Sequence, residues 1–179
     1  MKTIPWETPL RRVLTARVRG NPDYAVAAPL VAAPEGPELL IEVRATGISQ
    51  AGDPCFPGGR IEPGETPREA AARELEEELG IRADPEAFLG QLPTVHTPLG
   101  SRTDVFVCVV TPEDAARVRP NREEVAELLR VPLSFFLARP EACSYVVEGH
   151  TVWGMTAGAI RHLCDAWRQA LGAENSETF

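Results

Sequence analysis

The sequence predicts an α/β protein, a three-layer α/β/α sandwich with a mixed sheet. Three observations carry this. Apolar runs of strand length occupy residues 24–33, 39–43 and 104–110, a capped helix is written between them at 67–79, and an amphipathic segment at 156–171 closes the chain. Strands interleaved with two principal helices bury best when the helices cover both faces of one sheet.

Residues 1–20 mix Trp6, Leu10 and Val13 with Arg11, Arg12, Arg17 and Arg19, and read as a short helix or an irregular lead-in. The run YAVAAPLVAA at 24–33 is a buried-strand candidate, although Pro29 demotes it to an edge or a bulge. Residues 39–43 are apolar enough for burial on both faces. A loop at 44–56 leads to Pro57, Gly58 and Gly59, where paired glycines form a tight turn or let the backbone approach a ligand closely.

Thr66, Pro67 and Glu69 form a capping box with proline at the first helical position, and Gly80 stands where a left-handed residue closes a helix. Residues 87–95 and 104–110 read as further strands around the loop HTPLGSRT. Residues 112–130 are polar and charged, and VPLSFFL after them packs on the sheet. In the closing helix Ile160, Leu163, Cys164, Trp167 and Leu171 keep helical spacing.

Length and composition bound the function. The 179 residues suit one domain, 1–179, with 1–20 and 173–179 peripheral, and 44% hydrophobic with 25% charged residues is ordinary for a globular protein. A net charge of -8 argues against a nucleic-acid backbone as partner, because phosphate binding needs clustered Lys and Arg. Cys55, Cys108, Cys143 and Cys164 are too far apart for a zinc or disulfide framework, and read as small buried hydrophobes of a reducing cytosol. Neither a signal peptide nor a membrane span is evident, so a cytoplasmic protein is expected, with a homodimer left open.

The chemistry concentrates in residues 59–81, GRIEPGETPREAAARELEEELGI. On that helix Ala71, Ala72, Leu75 and Leu79 form a core-facing stripe, while Glu74, Glu77 and Glu78 crowd the neighbouring flank and Arg73, Glu69 and Glu76 point elsewhere. Like charges at i, i+3 and i+4 repel by a few tenths of a kcal/mol per pair. A hard divalent cation offsets this, since Mg²⁺ takes oxygen ligands together with substrate phosphates. The bland alternative is a solvated acidic face.

Gly59, Glu65, Arg73, Glu74, Leu75, Glu77, Glu78, Gly80 and Ile81, at this spacing, match the nine fixed positions of the Nudix box, and the chain resembles the Nudix hydrolase superfamily. The resemblance implies the three-layer fold, hydrolysis of a diphosphate bond linked to a nucleoside, and Mg²⁺ or Mn²⁺ as cofactor. It makes Glu74 and Glu78 direct metal ligands, Glu77 a ligand or base, and the Gly58 carbonyl a further ligand. Arg73 and Glu65 become an ion pair holding the loop to the helix, and Glu124 an acid supplied from outside the box.

The segments LIEVRA and GDPCFPGG, with VPLSFFL and HTVWGMTAGAI, resemble the coenzyme A pyrophosphatase branch. Ser49 departs from that branch, which usually has arginine there, as does Glu42, where threonine is usual, and the loop before Gly52 is one residue short. Arg44, Arg60, Phe56 and His96 are the candidates for substrate contact. The substrate expected is a small-molecule nucleoside diphosphate derivative, coenzyme A or an acyl-coenzyme A, with ADP-ribose, another nucleotide sugar or a nucleoside triphosphate as alternatives. A catalytically silent nucleotide-binding module is the reading from a different class.

Overall fold

A computed structural model of the chain describes residues 4–14, 21–96 and 100–176, for 171–176 the backbone alone. The sheet is built on β1 (Tyr24–Ala33), whose neighbours are β2 (Gly36–Arg44) and, in parallel, β7 (Arg102–Val110). Short strands β3 (Pro54–Cys55) and β4 (Gly58–Arg60) pair with β2 and β1. Strands β5 (Gly90–Gln91) and β6 (Val95–His96) pair with β7, and β8 (Val125–Pro132) pairs with β2. All pairings but β1 with β7 are antiparallel, so the eight-stranded sheet is mixed.

Strand alternation divides the core into two layers. Ala25, Ala27 and Val31 of β1, Leu40 of β2 and Phe106 and Cys108 of β7 face helix α2 (Pro67–Leu79). Leu30, Leu39, Ile41, Val43, Val105 and Val107 face the other way, onto α1 (Glu7–Val13), α4 (Leu133–Leu137) and α5 (Gly154–Ser176). The α/β/α sandwich follows from these two apolar faces. The expected α5 stripe is buried at Ile160, Leu163, Cys164 and Trp167, and Trp167 meets Trp6, the residue before α1, with ring centroids 5.5 Å apart. Leu171 falls outside the described side chains.

Several expectations need correction. Pro29 lies in a central strand rather than at an edge or bulge. The amide of Ala27 donates to Pro57 O on the β4 side, so two residues on the missing proline donor faces that side too. There the partner of β1 changes from β4, which ends its pairing at Val26, to β2, which begins at Leu30.

Residues 87–95 do not form one strand. Asp84 caps a 3-10 turn at Pro85–Ala87, and Pro93, which has no amide to donate, separates β5 from β6. The polar segment 112–130 contains a short helix α3 (Pro112–Ala115) and most of β8, whose Val125, Leu129 and Val131 are buried. A hairpin of β9 (Tyr145–Val147) and β10 (His150–Val152) was also not anticipated. Its turn has Glu148 at φ 49° and Gly149 at φ 87°, the positive pair that a two-residue turn requires. Cys108 and Cys164 are buried as expected, whereas Cys55 is half-buried and Cys143 is exposed.

Candidate active site

Helix α2 places the acids because both of its ends are fixed locally. The Thr66 side chain accepts from the Glu69 amide, the Glu69 carboxylate accepts from the Thr66 amide at 2.8 Å, and Gly80 closes the helix at φ 69°. Ala70, Ala71, Ala72, Leu75 and Leu79 dock on β1 and β7. That rotation carries Glu78 inside, where it is 2% exposed, leaves Glu74 half-buried with its carboxylate against Gly59, and turns Glu77 outward with its side chain 54% exposed.

The two glycines of β4 fit this face. The Gly58 amide donates to Glu78 Oε2 at 2.8 Å. A Cβ on Gly59 would stand 2.7 Å from the Glu74 carboxyl carbon. Glycine here keeps the helix and the strand within carboxylate reach. Gly59→Ala should therefore displace the Glu74 head group, a flexible side-chain end, rather than the backbone. The expected result is a melting temperature within a few degrees of wild type with turnover and divalent-ion affinity each reduced roughly tenfold or more. Calorimetry and steady-state assay would check both halves.

Arg73 does not point away from the acids as the helical wheel suggested. Its long side chain reaches back along the flank, and the guanidinium donates to Glu65 Oε1 at 2.9 Å, Glu74 Oε1 at 2.7 Å and Glu77 Oε2 at 3.0 Å. A further bond to the Arg60 carbonyl at 3.1 Å ties the loop before α2 to the helix. The Arg73 guanidinium holds the Glu65 carboxyl below its ordinary range.

Burial pushes the Glu78 carboxyl well up, the nearby charge of Glu42 adds to the rise, and the Gly58 amide opposes it. Glu74 is raised by burial too, against the pull of Arg73. Glu124 is half-buried and its charge acts on Glu42, Glu74 and Glu78 alike. It is fixed by the Asn121 side-chain amide, which donates to Oε1 at 3.0 Å, and by the Ala45 amide, which donates to its carbonyl at 2.8 Å.

The candidates for substrate contact do not converge as a set. Arg44 donates through Nε to Ser49 O at 2.8 Å. Arg60 is exposed, lies over the Tyr24 ring at 5.3 Å from its centroid, and donates to the Tyr24 hydroxyl at 3.2 Å. Phe56 is a correction: it is 4% exposed and packs in the core with Ile41 and Val43, on the layer away from α2. His96 is exposed at the end of β6, next to residues 97–99, which lie outside the described residues.

Sequence reasoning did not place Glu42 beside the acids of α2. It is buried on β2, and Cys55, its cross-strand partner, donates its thiol to Oε1 at 3.3 Å. A lone acid inside the apolar run LLIEV was the signal that could have found it.

Does this donor set suit a divalent cation? Among the described residues no three His, Cys, Asp or Glu groups are gathered ready to hold one. Arg73 instead occupies Glu74 Oε1 and the Gly58 amide occupies Glu78 Oε2. The chemistry nevertheless fits, since four mutually repelling carboxylates supply hard oxygen donors, and Oε2 of Glu42 is buried with no hydrogen-bond partner.

Residues 22–142 match the NUDIX domain. The chain is 32% identical over 169 residues to the mitochondrial coenzyme A diphosphatase NUDT8 of Homo sapiens, covering 82% of this chain and 72% of that protein. It is 32% identical over 170 residues to the uncharacterized Nudix hydrolase NudL of Enterobacter sp. (strain 638), covering 86% of this chain and 87% of that one. Its fold is similar to that of a C. elegans Ap4A hydrolase, with a TM-score of 0.57 at 16% identity over 84% of this chain and 98% of the other. With the acids of α2, the Arg73 bracket and the two β4 glycines in place, the matched domain and these relatives identify the chain as an enzyme of the Nudix hydrolase family.

Proposed function

We propose that this protein is a cytoplasmic diphosphatase that cleaves coenzyme A or an acyl-coenzyme A to 4′-phosphopantetheine, or its acyl form, and adenosine 3′,5′-bisphosphate, with Mg²⁺ or Mn²⁺. The observation that carries the substrate is the similarity to a coenzyme A diphosphatase across most of both chains. The free cysteines support a reducing compartment.

The residues divide the work. Glu74 and Glu78 would hold the cation, with Glu124 beside them. When bound, the cation neutralises diphosphate oxygens and polarises phosphorus. The Glu65–Arg73 pair fixes the loop 60–65 against α2 and so keeps the carboxylates in register. Glu77 and Glu124 are the carboxylates available to take a proton from the attacking water. Water oxygen bonds to one phosphorus as the bridging P–O bond breaks, and the bridging oxygen leaves on the other product. Arg44 and Arg60 are the nearby cations for the substrate's anionic groups.

The test is incubation of the purified chain with Mg²⁺ or Mn²⁺ and coenzyme A, ADP-ribose, diadenosine polyphosphates or nucleoside triphosphates, with products separated by chromatography. Coenzyme A should give the two products named. AMP from ADP-ribose with coenzyme A left intact would replace this substrate by a nucleotide sugar, and no turnover of any compound would favour a binding module.

A further inference from the structure

Glu42 belongs to none of the elements that carry the Nudix box, and its surroundings explain neither its charge nor its burial. On β2, Leu39, Ile41 and Val43 face the α5 layer, Leu40 faces α2, and strand alternation turns Glu42 to the α2 side. Its cross-strand neighbours are Cys55 and Leu128, so packing alone is served by an apolar residue. The residue is 1% exposed; Oε1 accepts the Cys55 thiol, while Oε2 is buried without any hydrogen-bond partner.

A buried carboxylate oxygen without a partner is costly, and so is bringing it near other acids. The charge of Glu42 nevertheless raises the Glu78 carboxyl, and those of Glu74 and Glu124 raise Glu42. Acids thus arrive from the sheet, from α2 and from the segment before β8. A cation in their midst would satisfy Oε2 and cancel the repulsion together.

We propose that Glu42 is an additional cation ligand, presented through Oε2 from the sheet beneath α2, and that Cys55 is its positioning residue, holding Oε1 through the thiol. This rests on the metal-dependent reading of α2 and adds a ligand to it. The centre then carries one more negative charge than the α2 pair with Glu124 provides, and binds divalent ions more tightly or in greater number.

The test is Mn²⁺ binding to the full chain without substrate, by isothermal titration calorimetry and by the EPR signal of free Mn²⁺. Glu42→Gln should weaken binding by about tenfold or more, or remove one ion from the stoichiometry. Cys55→Ala should weaken it by a smaller factor and Cys55→Ser should restore it. Glu76→Gln, an exposed acid on the same helix, should leave the isotherm unchanged. If Glu78→Gln weakens Mn²⁺ binding while Glu42→Gln superimposes on wild type, the Glu42 proposal fails and the metal-dependent reading stands. Absence of Mn²⁺ binding by the wild type overturns both. Should Glu42→Gln lose its far-UV CD signal, Glu42→Asp keeps the charge with a shorter reach. Weaker binding by that variant supports ligation, and unchanged binding overturns it.

Discussion

Glu78→Gln should lower turnover by at least about 100-fold, as removal of a transition-state electrostatic contact commonly does, while the metal-free protein becomes more stable. The two effects have one cause. Glu78 is 2% exposed, on the side of the sheet where Ala27, Leu40, Leu75 and Leu79 form part of the apolar layer, with the charge of Glu42 near it. Burial and repulsion disfavour its ionised form, so a neutral isostere is better tolerated by the fold, and the glutamine oxygen can still accept the Gly58 amide. A cation needs the ionised form. Differential scanning calorimetry in EDTA should show a higher melting temperature for the variant. A lower one, with lost activity, would mean that Glu78 serves the fold and that the turnover result says nothing about ligation.

The stability of the metal-free wild type should fall as pH rises, by about 5 °C or more in melting temperature between pH 5.5 and pH 8.5. The sign follows from proton binding. The Glu78 carboxyl is raised from 4.5 to about 9 and Glu42 is raised with it, so the folded chain keeps a proton that the unfolded chain has released. Where the folded state binds more protons, unfolding becomes easier with rising pH, here from the ordinary carboxylate value up to about 9. A divalent cation displaces that proton. Mn²⁺ should therefore stabilise the protein more at pH 8.5 than at pH 5.5, and binding should release protons, measurable by calorimetry in buffers of different ionisation enthalpy. A flat pH profile in EDTA would show that Glu42 and Glu78 do not share a desolvated site.

The parts of the molecule read correctly from the sequence are those whose determinants lie close in the chain. Thr66 and Glu69 cap α2 across three residues, and Gly80 ends it through its own backbone freedom, so the helix bounds 67–79 needed no knowledge of the fold. The same holds for the stripe of α5 and for the burial of residues 39–43 on both faces of β2. The alternation in β8 and the Glu148–Gly149 turn were also local signals, but lay among charged residues that masked them.

Three further failures concern partners more distant in the chain. Pro29 is tolerated in a central strand because two different strands, β4 and β2, divide one side of β1 between them. Phe56 looked like a loop residue facing substrate, yet β3 and β4 turn it into the opposite core layer. Arg73 joined the acids because Glu65 and the Arg60 carbonyl, on the preceding loop, draw its guanidinium there.

By itself the sequence determined the helix of the Nudix box, its caps, the spacing of Glu74, Glu77 and Glu78 along it, and the family to which these belong, because helical geometry converts spacing into position at short range. Only the tertiary structure decided which of those acids are inside. The docking of α2 on β1 and β7 buries Glu78 and leaves Glu77 in solvent, and strand pairing at a separation of 13 residues brings Cys55 to Glu42. Desolvation, which makes these carboxylates unusual, depends on what is packed over them, and no local pattern of residues specifies that.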